Sequence, residues 1–466
     1  MRSYFGIHNH TYYSNIRLLD SINRPTALVD KAIELGLSGV AITDHACLSA
    51  HMEVNQYAKK IKEKYPDFLV ALGDEIYLVE KREPGQKYFH FLLIAKDALG
   101  HKALRELSSI AWYNSFVDRG MERVPVTKEE LASVVKKYPG HLIASTACMG
   151  GELSTNALAM VEAESVNDMT SAKVFYDNIC AFVDYCVNLF GQDFYIECAP
   201  STASDQRAVN AKLYRIAQAY NIPMVIGTDS HYLTKADRFV HKSYLNSKGG
   251  EREVDSFYEF AHLMSFDEAE ELLALSFNDD KDIAAQIIHN TLDIQEKITE
   301  YSLERKQMIP KVDVKDYPKC SAWEWDMYPT IKELLASDNI QERYWVNECI
   351  QKLVEMDLDG EPEYAARLET EADVIKLIGD KLDDCLFAYF NTFKHYIDLF
   401  WECGSIVGPG RGSATGFLSN YLLGITQLDP IRWGLPYWRF LNKERAELPS
   451  LLLILGSCKK RTLTIA

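Results

Sequence analysis

At 466 residues, with 47% hydrophobic and 25% charged residues, the chain is long enough for two or three domains and a sizeable core. A formal net charge of −17 excludes a broadly basic nucleic-acid binder, so any phosphate contact must come from a local patch of Lys and Arg. Ten cysteines form no CxxC pair, which speaks against zinc ribbons and thioredoxin-type redox chemistry. With no apolar h-region in MRSYFGIHNH and no apolar run near 18 residues, a cytoplasmic protein with free thiols is expected.

Over the first 235 residues, short apolar runs alternate with helical patterns. Tyr4–Ile7, Gly39–Thr43, Phe68–Leu72, Phe89–Ala95, Leu142–Ser145, Phe194–Ile196 and Met224–Gly227 read as buried parallel strands. Pro25–Leu35, Glu53–Lys64, Ala98–Tyr113, Lys128–Lys137, Ala172–Leu189 and Asp205–Tyr220 read as helices. Strands joined by crossover helices predict an α/β barrel or a doubly wound sheet, and a barrel carries its chemistry just after the strands. From about 255 to 300 the chain turns helical and acidic. KQMIPKVDVKDYPKCSAW is punctuated by proline and reads as a connection. A second α-rich region, about 325–402, leads to a glycine loop at 408–416. The boundaries expected are 1–275 for the barrel, 276–315 for a connecting segment, 316–449 for the second region and 450–466 for a divergent tail.

His8 and His10 lie on one side of an extended strand end, because side chains alternate with period two. Asp44-His45 follows the second strand and Asp229-Ser230-His231 the last. Three such clusters after three strands predict a multinuclear metal site. Glu75, His90 and Cys148 fall in matching places. Asp74 competes with Glu75, and His51 and His141 are expected at the surface. At these residues the chain resembles the polymerase and histidinol phosphatase (PHP) superfamily of metal-dependent phosphoesterases, over roughly residues 4–235. The resemblance implies a distorted (β/α)7 barrel. It implies as ligands His8, His10, Asp44, His45, Glu75, His90, Cys148, Asp229 and His231, holding up to three divalent ions, zinc, manganese or iron. Closely spaced divalent ions suit phosphoester hydrolysis, and the mixed N, O and S donors do not fix the metal.

Gly408-Pro409-Gly410-Arg411-Gly412-Ser413 is no Walker A motif, yet its glycines let backbone N–H groups approach a phosphate, and Arg411 adds charge. The alternative is an ordinary turn into a helix at 414–423. GSIVGPGRGSATGFLSNYLLGITQLDP followed by RFLNKER, with YAARLETEADVI and AYFNTFKHYIDLFWECG upstream, closely resembles the palm region of the bacterial polymerase III alpha subunits, the C-family replicative DNA polymerases. That resemblance covers residues 4 to about 449 and implies an α-rich partial palm after the PHP barrel. It implies Gly410, Arg411, Gly412 and Ser413 at the triphosphate of an incoming dNTP. It also implies a DNA primer 3′ end, a sliding clamp and a proofreading subunit as partners, with Mg for polymerisation in an intact member.

One departure is informative. The family continues with a Pro-Asp-x-Asp-x-Asp type strand, whereas Pro449 here is followed by Ser450, Leu451, Leu452, Leu453, Ile454 and Leu455, and no carboxylate follows Glu447. Leucines cannot hold Mg²⁺. The tail therefore reads as a frameshift or truncation, and polymerisation by this chain is not expected. The expected function is that of an N-terminal fragment of an alpha subunit retaining a metal-dependent PHP phosphoesterase site, as in 3′–5′ proofreading. A freestanding phosphatase of small phosphate esters, and a metal-stabilised scaffold docking a proofreading subunit, are the alternatives.

Overall fold

Alternation of short apolar runs with amphipathic segments produces alternating strands and helices in the first of two units, Met1–Arg305 and Lys306–Ala466. The computed structural model describes residues 2–16, 19–248, 258–306, 308–320 and 325–444. In chain order the first unit contains β1 (Phe5–Gly6), α1 (Pro25–Glu34), β2 (Gly39–Ile42), α2 (His51–Ile61), β3 (Leu69–Val79), β4 (Phe89–Ala95), α3 (Ala98–Tyr113), β5 (Phe116–Asp118) and β6 (Met121–Arg123). It continues with β7 (Pro125–Thr127), α4 (Lys128–Lys137), β8 (Leu142–Ser145), α5 (Glu152–Ser165), α6 (Met169–Phe190), β9 (Phe194–Cys198), α7 (Ser204–Tyr220), β10 (Met224–Ile226), α8 (Arg238–Leu245), α9 (Phe266–Ala274) and α10 (Lys281–Glu296).

The main sheet runs β1-β2-β3-β4-β8-β9-β10, with β7 also paired to β3. It nearly closes on itself: His10 N donates to Ser230 O at 2.9 Å, and Ser230 N donates to His8 O at 3.3 Å. Period-two alternation sorts the side chains. Phe5, Ile7, Ala41, Ala71, Ile94, Ile143, Tyr195 and Val225 fill the barrel interior. Their neighbours Tyr4, Val40, Ile42, Leu72, Leu93, Ala144, Ile196 and Ile226 pack against the helices.

Three features differ from the sequence reading. β4 is antiparallel to both β3 and β8, because the connection over residues 80–88 is too short for a crossover helix. Its first residues therefore sit at the end of the sheet where the parallel strands finish. α5 was not signalled, since its buried face is Leu153, Ser154, Ala157 and Ala163, too poor in large apolar residues to show a period. Finally, α10 forms the floor of the barrel and not part of a connection. Ile294 enters the interior cluster, Phe5 N donates to Thr291 Oγ1 at 3.0 Å and Asn290 Nδ2 donates to Met224 O at 2.8 Å.

The second unit is helical: α11 (Pro329–Ala336), α12 (Ile340–Glu355), α13 (Pro362–Leu382), α14 (Phe387–Glu402) and α15 (Leu418–Leu422). Its core gathers Trp345, Phe387, Phe390 and Phe417. The divergent tail at 450–466 lies outside the described residues. Among the described residues no helix is long and apolar enough to cross a membrane.

Candidate metal centre

The strand ends bring His8, His10, His45, Glu75, His90, Cys148, Asp229 and His231 together at one end of the barrel. All are buried except His90, which is partly exposed. Their donor atoms, with those of Asp20, form three adjoining groups. In the first, His8 Nε2 and His10 Nε2 are 3.1 Å apart, and Asp229 Oδ1 lies 3.4 and 3.1 Å from them. Glu75 completes it, with Oε1 3.3 Å from His8 Nε2 and Oε2 3.4 Å from His10 Nε2. A tetrahedron with metal–ligand bonds of about 2.0–2.1 Å has edges of about 3.3–3.4 Å, so these separations suit one ion. In the second group Glu75 Oε1 is 2.9 Å from His90 Nδ1, and Cys148 Sγ is 3.6 Å from that nitrogen. In the third, Asp20 Oδ2 is 2.8 Å from His45 Nε2 and 3.1 Å from His231 Nε2.

The donors ask for a cation. His45 Nδ1, Glu75 Oε2 and Asp229 Oδ1 are buried with no hydrogen-bond partner among the described residues. His45 Nδ1 and Glu75 Oε2 lie only 2.6 Å apart, yet without hydrogen-bond alignment. An unsatisfied buried polar atom costs about 1–3 kcal/mol, a cost that a bound ion removes. Burial opposes charge on His8, but Glu197, Asp229 and Glu75 outweigh it and hold its pKa well above the usual value. Burial also opposes charge on Glu75, and there His90, His45 and His8 win, so its carboxyl falls well below its usual range. For His10, burial and the neighbouring His45 and His231 push the pKa down to about 3, leaving a neutral imidazole with a free lone pair. Burial, with Asp229 and Glu75, pushes the Cys148 thiol well up. A coordinated cation reverses that shift.

In the second unit the glycine loop is bent by Gly410 (φ 121°) and Gly412 (φ 66°), conformations that favour glycine. A Cβ on Gly410 would sit 2.7 Å from Thr415 Cγ2. Arg411 is exposed and Ser413 half-buried, on the turn Gly412–Gly416. Behind the loop, the buried Glu371 accepts from Leu418 N (2.6 Å) and Ser419 N (2.8 Å). Arg367 donates to Gly416 O and Leu435 O, both at 2.7 Å, and to Glu371 at 3.0 Å. Burial raises the Glu371 carboxyl to about 7.

A PHP domain family model matches residues 6–201, and a model described as the bacterial DNA polymerase III alpha NTPase domain matches residues 333–452. The chain is thus similar over nearly its whole length to bacterial polymerase III alpha subunits, with a PHP domain followed by an alpha-subunit NTPase domain. The DNA-directed DNA polymerase of Bacillus phage SPbeta is 38% identical over 470 residues, covering 96% of this chain and 36% of that protein. The DNA polymerase III alpha subunits of Aquifex aeolicus and Campylobacter jejuni are 29% and 28% identical, each over 97% of this chain and 36% of their own length. The chain thus spans about a third of the curated relatives it matches.

Within the PHP barrel, two carboxylates were missed by sequence reasoning. Glu197 lies in the buried strand β9, with Oε1 2.6 Å from His8 Nδ1, and it also accepts from Ser145 Oγ. It turns His8 so that Nε2 faces the donors, as carboxylates behind metal-bound histidines do. A glutamate amid FYIEC was the available signal, since unpaired buried acids are rare. Asp20 comes from a loop with no strand end to mark it. Besides His45 and His231, it accepts from Tyr258 Oη at 2.7 Å. Asp44 moves the other way. Its carboxylate takes Thr11 N at 2.6 Å, Thr11 Oγ1 at 2.8 Å and Ser14 Oγ at 2.7 Å, so it is occupied in holding the loop after β1 and joins none of the donor groups. Asp74 accepts from Cys47 N at 3.2 Å and stays apart. His51, expected at the surface, is buried and donates to Gly73 O at 2.9 Å. His141 is partly exposed beside Asp97.

Proposed function

We propose that the barrel end is a metal-dependent phosphoesterase site that removes nucleotides from a DNA 3′ end, within the N-terminal portion of a replicative polymerase. The observation that carries this reading is the set of three donor triads, His10-His45-His231, His8-His10-Glu75 and His45-Glu75-His90, which overlap through His10, His45 and Glu75, with three buried atoms left unsatisfied. The proposed ligands are His8, His10, Asp20, His45, Glu75, His90, Cys148, Asp229 and His231, for up to three ions of zinc, manganese or iron, with Asp44 positioning the loop. Such ions, when bound, polarise a phosphoryl oxygen, activate water and stabilise a leaving alkoxide. Glu197 fixes the ring of His8, and Ser14 Oγ, 3.1 Å from His10 Nδ1, fixes that of His10.

In the second unit, Gly410, Arg411, Gly412 and Ser413 are proposed to meet the triphosphate of a dNTP, with Mg serving polymerisation in a complete alpha subunit. Polymerisation is proposed only for a complete alpha subunit. DNA, a sliding clamp and a proofreading subunit are the proposed partners, in the cytoplasm. Alignment with DNA polymerases over 96% of the chain weighs against a freestanding phosphatase.

Metal analysis coupled to degradation of a 3′-mismatched primer tests the proposal. The expected result is bound metal and nucleotide release, both lost in His10→Ala/Asp229→Ala. Equal activity in that variant refutes the site, and hydrolysis of p-nitrophenyl phosphate without action on DNA transfers it to a small-ester phosphatase.

A further inference from the structure

Beside the donor cluster, next to Asp20, His45 and His90, opens a cleft of about 460 Å³. The loop after β3 brings Lys87 to its wall, and the β5–β6 hairpin brings Arg119 and Arg123. Among the described residues none of these three cations pairs with a carboxylate, although the chain carries a formal charge of −17 and many other lysines, such as Lys128 with Glu80 and Glu152, do. The carboxylates facing the cleft are already engaged. Asp118 accepts from Gly85 N at 3.3 Å, and Asp20 is held by His45, His231 and Tyr258.

Arg119 is the most telling of the three. It sits at the hairpin tip with φ 51°, followed by Gly120 with φ 75°. Asn-Gly or Asp-Gly is the usual choice for such a turn, and a non-glycine, non-Asx residue there costs on the order of 1 kcal/mol. The hairpin gains nothing from arginine at this point, but the cleft gains a guanidinium at its mouth. Planar rings lie between the charges. The Arg123 guanidinium is 5.0 Å from the ring centre of Tyr88, and Tyr77 stacks on His45 at 5.6 Å and 23°. Unpaired cations spread over two segments and interleaved with aromatic rings fit a strand of several phosphates and bases better than one small phosphate ester.

We infer that this cleft seats the sugar–phosphate backbone of a single-stranded DNA end, with Arg119, Arg123 and Lys87 on the phosphates next to the one at the donor cluster; this rests on the phosphoesterase reading. The test is fluorescence anisotropy of the intact chain with a labelled oligonucleotide ending in 3′ phosphorothioates, titrated across salt. Each lost phosphate contact removes about 0.7 from the log–log salt slope. Arg119→Asn/Arg123→Gln, which keeps an Asx residue at the left-handed position, should therefore lower the slope by about 1.4. Between about 50 and 200 mM salt the ratio of wild-type to variant affinity then shrinks about sevenfold. Arg119→Lys/Arg123→Lys should keep the slope. An unchanged slope in the Asn/Gln variant overturns the inference, as does loss of p-nitrophenyl phosphate hydrolysis with no change in DNA binding. A changed slope with no primer degradation by the wild type leaves the cleft standing and removes only the catalytic reading. Primer degradation that depends on His10 and Asp229, with an unmoved slope, removes only the cleft.

Discussion

Gly227→Ala is the sharpest test of how the metal centre is held. A Cβ at this position would lie 2.0 Å from Glu197 Oε1, 2.4 Å from Cδ and 2.9 Å from Cγ. Ordinary contact needs more than 3 Å, so the carboxylate must retreat by over 1 Å. The bond from His8 Nδ1 to Glu197, now 2.6 Å, then exceeds hydrogen-bonding range. The backbone of Gly227 does not oppose the change, since its φ is not in the left-handed region, and the atoms that must yield are the end of a side chain. The variant should therefore fold while losing the orientation of one ligand. Losing such a partner typically costs 10- to 100-fold in metal affinity, about 1.4–2.7 kcal/mol. Competition titration against a chelator of known affinity, with circular dichroism as the folding control, measures it. A folded Gly227→Ala protein that holds its metal as tightly as the wild type would falsify the role given to Glu197.

Asp20→Asn should release metal, read as ions per chain, whereas Asp44→Asn should keep its metal and lose about 1.5–3 kcal/mol of stability through weakened charge-assisted bonds from Thr11 and Ser14. The reverse pattern would restore Asp44 to the ligand set. Glu371, pushed up to about 7 from 4.5 by burial, binds protons on folding; its contribution is complete below pH 4.5 and is lost as pH rises through 7. The difference corresponds to roughly 3 kcal/mol at most. Denaturant melts from pH 5 to 8 should show this decline in the helical unit, and Glu371→Gln should flatten it; an equal slope in the variant would rule the carboxyl out.

Much of the barrel was readable because most of its strands contain a short apolar run next to a polar residue. His-x-His and Asp-x-His then follow from period-two alternation alone. What failed to show depends on contacts between distant segments. Asp20 reaches His231 across 211 residues, and nothing local marks a loop aspartate for that task. Adjacent Asp44 and His45 looked equivalent, yet the turn after β2 sends one toward Thr11 and the other into the cluster. The apolar run of β4 carries no sign of direction; the brevity of the 80–88 connection did, and it places His90 correctly only when the strand is reversed. α10 resembles any amphipathic helix until Thr291 is seen to receive Phe5 N.

That last bond has a bearing on how the protein is made. Phe5 and Thr291 are 286 residues apart, and ribosomes add about 5–20 residues per second. β1 therefore waits roughly 14–57 s after its synthesis before the helix that closes beneath it exists. Its other flank waits nearly as long for the segment around Ser230. During that interval the nascent barrel presents an open edge, the surface on which neighbouring chains on a polysome pair wrongly. The first histidines to leave the ribosome are among the last to find their partners.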